Sequence, residues 1–108
     1  MPWTSLCTVE ELADGNGKYV EIGGFELAVF VSEGAYFVID NRCPHAGGNL
    51  ASGAVAPGRV TCPLHAWTFE LATGALVGSP GVCVKRYPVR VHHRPDKTDL
   101  VQADLPMY

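Results

Sequence analysis

The chain has no basic run, no long apolar stretch, no repeat and almost no helical signal, and each absence narrows what it can be. With 8 Lys and Arg against 11 Asp and Glu its net charge is −3, and no aromatic residues interleave with the basic ones as base stacking requires, so a nucleic-acid surface is not expected. No stretch approaches the roughly 20 apolar residues of a spanning helix, and Met1-Pro2-Trp3-Thr4-Ser5 shows no basic-then-apolar export pattern. The expectation is a soluble, cytoplasmic protein without a membrane partner, monomeric when isolated. Cysteine is sparse too. The 4 Cys at positions 7, 43, 62 and 83 do not make a disulfide framework. Without an export signal a Cys7–Cys83 bridge is not expected, and Cys83, within Val82-Cys83-Val84, is read as a small buried hydrophobe like Cys7.

What the chain does have is short apolar runs divided by its 12 glycines. Lys18–Ile22 runs into Gly23-Gly24, a strong hairpin signal, followed by Phe25–Val31; Ser32-Glu33-Gly34 then turns the chain into Ala35–Ile39. Three consecutive antiparallel strands are predicted. Arg59–Thr61, Thr68–Leu71 and the stretch Val82 to His92 supply further strands, with Ala72-Thr73-Gly74 as a turn. Val9–Ala13, capped by Thr8 and stopped by Asp14-Gly15, predicts about one helical turn. Phe25, Phe30, Tyr36 and Phe37 are assigned to the core, and the tail beyond Arg94, with Pro95 and Pro106, is expected to be loosely ordered. The result is one all-β domain over 1–108, of antiparallel sheets or a small barrel.

Charge is unevenly placed. Up to residue 81 Lys18, Arg42 and Arg59 face eight acids, whereas from Val82 onward Lys85, Arg86, Arg90, Arg94 and Lys97 outnumber Asp96, Asp99 and Asp104. Basic residues scattered along strands are read as a solvated face rather than a docking patch. His92 and His93, beside Arg90 and Arg94, are read as solvated strand-end residues rather than a second metal site.

Chemistry concentrates in two segments, Cys43-Pro44-His45 and Cys62-Pro63-Leu64-His65. Together they supply two thiolates and two imidazoles in matched pairs. Residues 46 to 61 between them include Gly47, Gly48, Gly53, Pro57 and Gly58, which suits turns and a short hairpin able to present two loops side by side. Such a donor set suits an iron–sulfur cluster with one Cys and one His from each loop. It also admits a single tetrahedral zinc, although Cys-x-His is tighter than the two to four intervening residues that zinc pairs usually have.

The signature Cys-x-His, 16 residues, Cys-x-x-His resembles that of the Rieske family. The likeness runs from Val38-Ile39-Asp40-Asn41 through Trp67-Thr68-Phe69 to Gly78-Ser79-Pro80-Gly81, which resembles the proline loop that covers the family's cluster. It implies a 2Fe-2S cluster ligated by Cys43, His45, Cys62 and His65 within a cluster-binding subdomain of about 42–81. It implies no catalysis on a substrate, only one-electron transfer, leaving through His45 and His65 at the tip. Neutral imidazoles in place of two thiolates raise the potential to roughly −150 to +300 mV, against about −400 mV for plant-type clusters. That potential is expected to fall with pH once the imidazoles deprotonate.

Respiratory and photosynthetic Rieske proteins carry an extra Cys in each loop and a Ser hydroxyl on a bridging sulfide; here those positions are Gly48, Leu64 and Trp67. With fewer hydrogen bonds to sulfur, a potential at the low end of the range is expected. Trp67 is expected to pack against the cluster base, and Pro44, Leu64 and Pro80 to form a small apolar docking surface. Where the family more often has Gly, this chain has Ala66, which asks for a backbone without positive φ or a slight loop adjustment. Two groups are resembled most: ferredoxins that pass electrons from a reductase to a terminal oxygenase in aromatic-ring dioxygenase systems, and small subunits of nitrite reductases, toward which the Arg86-Tyr87-Pro88-Val89 run leans. The alternative is a cluster-free or zinc-stabilised interaction module on the same fold. No part of the chain suggests a second domain able to hold a mononuclear iron.

Overall fold

Gly23 and Gly24 adopt φ of 57° and 86°, the left-handed region that a two-residue hairpin needs, and they join β2 (Gly17–Ile22) to β3 (Phe25–Ser32) in register, Ile22 opposite Phe25. A second hairpin at Glu33-Gly34 leads to β4 (Ala35–Asp40), antiparallel to β3. The structure, a computed structural model, describes residues 3–44, 47–64, 66–96 and 98–106. It contains β1 (Trp3–Thr8), β5 (Ala54–Ala56), β6 (Arg59–Thr61), β7 (Thr68–Glu70), β8 (Ala75–Leu76), β9 (Ser79–Cys83), β10 (Arg86–Tyr87), β11 (Val89–His92) and β12 (Leu100–Asp104).

These strands form three antiparallel sheets, ordered β1-β12-β11, β10-β4-β3-β2 and β5-β6-β7-β8-β9. The four-stranded sheet is central because β3 is apolar on both faces. Side chains alternate across a strand, so Leu27 and Val29 enter a core shared with Val101, Ala103 and Leu105, while Ala28 and Phe30 enter another shared with Val60, Phe69 and Leu71. Val38 and Ile39 of β4 divide in the same way. Cys43 and Cys62 belong to the second core, on the side of the five-stranded sheet.

The three expected central strands form as read, and of the four aromatic residues Phe30 is fully buried while Phe25, Tyr36 and Phe37 pack at the edges of the two cores. Three expectations are corrected. The tail beyond Arg94 is not loose: β12 pairs with both β1 and β11 and buries Val101, Ala103 and Leu105, while Pro95 and Pro106 fall outside the strand they would interrupt. Val9–Ala13 forms only a 3-10 turn over Val9–Glu11, in which the Glu11 carboxylate accepts from the Thr8 N–H (2.7 Å) and hydroxyl (3.1 Å). Cys83 is exposed, since it ends β9 on an outer edge of its sheet.

Candidate metal centre

Two chain segments converge on the second core. The first follows β4 and is tied at its base by Asn41, whose carbonyl accepts from the Leu50 N–H and whose side-chain Oδ1 accepts from the Ala51 N–H, both at 2.8 Å. Within it Cys43 N–H donates to Gly48 O (2.9 Å), Gly47 N–H donates to Cys43 O (2.8 Å), and Arg42 bridges to Asn49. Asn41 is buried, so these bonds are shielded from water. The second segment connects β6 to β7. Cys62 N–H donates to Trp67 O (2.7 Å), and the hydroxyls of Thr61 and Thr68 meet at 2.9 Å just outside it.

Ala66, in the second segment, holds φ at +55°. The backbone therefore keeps the left-handed geometry despite the methyl group, and the expected move away from positive φ does not occur. The tight turn from Cys62 to Trp67 sets this conformation, at a cost of roughly 1–2 kcal/mol for a side chain.

Cys43 and Cys62 are each 1% exposed and free of a disulfide. Burial pushes the Cys62 thiol up; the Leu64 N–H works against that, and the neighbouring Cys43 side chain adds to it. Gly48 stands where no side chain fits, since a Cβ there would lie 2.6 Å from Cys62 Sγ and 3.4 Å from Leu64 Cγ. Trp67 is half-buried and packs against the core that holds both cysteines. Pro44 and Leu64 are exposed, Leu64 to 48%. His45, His65 and the side chain of Pro80 lie outside what is described.

Burial makes the Cys62 thiolate costly, and the Cys43 side chain beside it adds to that cost. A cationic centre bound between them removes both penalties, so this donor pair fits a metal or iron–sulfur group. The glycine at 48 fits it as well, leaving free the space next to sulfur.

Among the described residues the other titratable groups do not assemble into such a site. Cys7 is buried alone, its thiol pushed up to about 11 by burial and then by the Glu11 carboxylate, against which Lys18 acts weakly. His93 Nδ1 lies 3.0 Å from the Asp99 carboxylate in an exposed turn, and His92 is exposed, in keeping with strand-end roles. Sequence reasoning missed Asn41 as the tie of the first segment. A lone Asn two residues before a Cys carries no pattern that would have marked it.

Residues 2–88 match the family model of the Rieske [2Fe-2S] domain. The chain belongs to that family. As a Rieske domain it is 39% identical over 88 residues to the 3-phenylpropionate/cinnamic acid dioxygenase ferredoxin subunit of Photorhabdus laumondii, covering 80% of this chain and 83% of that one. It is also 39% identical over 80 residues to the cholesterol 7-desaturase nvd of Hemicentrotus pulcherrimus, but there it spans only 17% of the relative's length. Among solved structures, the Sphingomonas yanoikuyae B1 ferredoxin matches with a TM-score of 0.84 at 33% identity, covering 97% of this chain and all of that one (100%). A protein designated an NADH-dependent nitrite reductase small subunit, from Mycobacterium tuberculosis, matches with a TM-score of 0.83 at 26% identity over 98% of this chain and 97% of the other. The Rieske cofactor is a 2Fe-2S cluster. No helix of the described residues is long and apolar enough to cross a membrane.

Proposed function

We propose that this chain is a one-electron carrier of the cytoplasm in which Cys43, His45, Cys62 and His65 hold a Rieske 2Fe-2S cluster, and which takes electrons from a reductase and delivers them to a terminal oxygenase. The observation that carries the reading is that Cys43 and Cys62, both free and buried, share one core, with Gly48 against the Cys62 sulfur. When bound, the cluster supplies a site that accepts and returns one electron.

The chain's own residues define the surroundings. Asn41 and the backbone bonds of Cys43 and Cys62 hold each segment in shape, the contact of Gly48 with Cys62 sets how near they come, and Trp67 keeps water from the core side. Exposed Pro44 and Leu64 offer an apolar tip of the size that transient electron-transfer contacts use, below about 1,200 Å² in total. Residues 42–81 act as the cluster-binding subdomain of one domain spanning 1–108.

The oxygenase-ferredoxin role is favoured by 39% identity along most of a dioxygenase ferredoxin subunit. The second reading, small subunit of a nitrite reductase, is supported by the match along nearly the whole of such a subunit, at the lower identity of 26%.

The test is electron paramagnetic resonance of anaerobically purified protein before and after dithionite, with iron and acid-labile sulfide assayed on the same sample. The expected result is two irons and two sulfides per chain and a rhombic signal, of lower average g than all-cysteine ferredoxins give, only after reduction. Zinc, or no metal, with no signal would replace the carrier by an interaction module on this fold.

A further inference from the structure

The turn from Cys62 to Trp67 is closed by two bonds, one behind the other. Cys62 N–H donates to Trp67 O at 2.7 Å, and one step further from the turn the hydroxyls of Thr61 and Thr68 share a hydrogen bond at 2.9 Å. Thr61 and Thr68 stand directly opposite each other, as the last pair of the β6–β7 ladder before the turn. Their neighbours Val60 and Phe69 are fully buried in the second core, and side chains alternate across a strand, so both hydroxyls lie on the face turned away from that core. Half-buried there, the pair fills no core space; what it adds is the bond.

The turn so closed is not relaxed. Ala66 holds φ at +55°, a conformation unfavourable for any residue with a Cβ, and the chain stays in it only while the ends of the turn are held. Thr68 holds a second stretch as well: its carbonyl accepts from the Val77 N–H at 2.8 Å, where the chain enters the turn at Gly78. One residue thus ties β7 to β6 through its hydroxyl and to the following hairpin through its carbonyl. Cys62 lies between Thr61 and the turn, with its Sγ only 2.6 Å from a Cβ placed on Gly48. Opening of the turn therefore moves the sulfur on which the approach of the two segments depends.

We propose that Thr61 and Thr68 are positioning residues whose hydroxyl bond is a clasp: it holds the strained turn closed and keeps Cys62 where it ligates the cluster. This rests on the ligand role of Cys62 proposed above. A cross-strand Thr–Thr bond is a modest interaction, but this one sits at the end of the ladder where the strained turn begins to open. Its loss is felt at Cys62 rather than in the core. The clasp and Ala66 are then energetically coupled, because a glycine at 66 relieves the strain that the clasp opposes.

The experiment uses the cluster-loaded protein and follows the transfer of its iron to excess EDTA by the loss of visible absorbance. Thr68→Val keeps the branched shape and deletes the hydroxyl, and its iron should leave about fivefold faster than that of the native protein, the size expected of one lost hydrogen bond. Thr61→Val removes the same bond and should match it, and the double variant should be no faster than either. Thr68→Ser keeps a hydroxyl and should release iron at close to the native rate. In an Ala66→Gly background the acceleration by Thr68→Val should shrink to below about twofold. Additive effects of the two valines, an equal acceleration in the Ala66→Gly background, or a Thr68→Ser variant as fast as Thr68→Val overturns the clasp alone. A native protein that holds zinc in place of iron overturns the carrier function, and the same ratios of zinc release then decide the clasp. A native protein that holds no metal overturns both.

Discussion

Gly48 and the Cys62 sulfur approach so closely that a methyl group on Gly48 would lie 2.6 Å from Sγ. Gly48 belongs to one cysteine segment and Cys62 to the other, so this contact fixes how near the two loops come. Neither side yields easily, because Cys43 N–H is bonded to Gly48 O and Cys62 N–H to Trp67 O. Gly48→Ala should therefore separate the loops, with an overpacking cost of about 1–3 kcal/mol and a clear loss of bound iron. Gly15→Ala, outside both segments and with nothing within 4 Å of an added Cβ, should leave iron content unchanged. Iron and sulfide assays on the two purified variants decide it, and equal loading would sink the argument.

Asn41 should matter through one hydrogen bond. Its Oδ1 receives the Ala51 N–H at 2.8 Å in buried surroundings, and no other described group takes that role. Asn41→Ala leaves the N–H unpaired, which costs about 1–3 kcal/mol of stability. Denaturant unfolding should register that loss, and amide exchange at Ala51 should speed up relative to Val29 in the central sheet. Unchanged exchange at Ala51 would mean that the backbone bonds of the segment suffice without the side chain.

The two cysteine segments were legible because their chemistry is written in adjacent residues, and the central strands because glycine pairs bound them. Other features depend on residues far apart in the chain. β12 forms because β1, about 95 residues earlier, offers it a partner, as in Trp3 opposite Asp104, and no local pattern announces that pairing. Cys83 looked buried since its neighbours are apolar, yet its exposure is set by β9 lying at a sheet edge, a property of strand order.

Ala66 offers a change that should improve the protein. Its φ of +55° carries a cost that glycine does not bear, partly offset by the greater freedom glycine gives the unfolded chain. Ala66→Gly should therefore be neutral or stabilising by up to about 1 kcal/mol, while Ala66→Val, with a branched Cβ in the same conformation, should be destabilised by more than that. Thermal midpoints of the three cluster-loaded proteins check the order. A destabilised Ala66→Gly would show that the methyl group makes contacts that outweigh its backbone cost.

Cys7 makes stability depend on alkaline pH. Its thiol is buried between β1 and the first core, and burial followed by the Glu11 carboxylate pushes it up from 9.0 to about 11. Below about pH 9 the thiol is protonated in both folded and unfolded chains, so its contribution is constant and fully present. Between about pH 9 and 11 the unfolded chain releases this proton while the folded chain keeps it, and the folded state is then disfavoured. A shift of about two units corresponds to a loss of about 2–3 kcal/mol across that window. Tyr87 acts in the same direction from about pH 10, its hydroxyl raised by burial and by the bond to Asp40. The isolating comparison is Cys7→Ala, which keeps Tyr87. Measured by urea unfolding at pH 8 and pH 10.5, the native protein should lose stability relative to Cys7→Ala, and a constant difference between the two would place the alkaline sensitivity elsewhere.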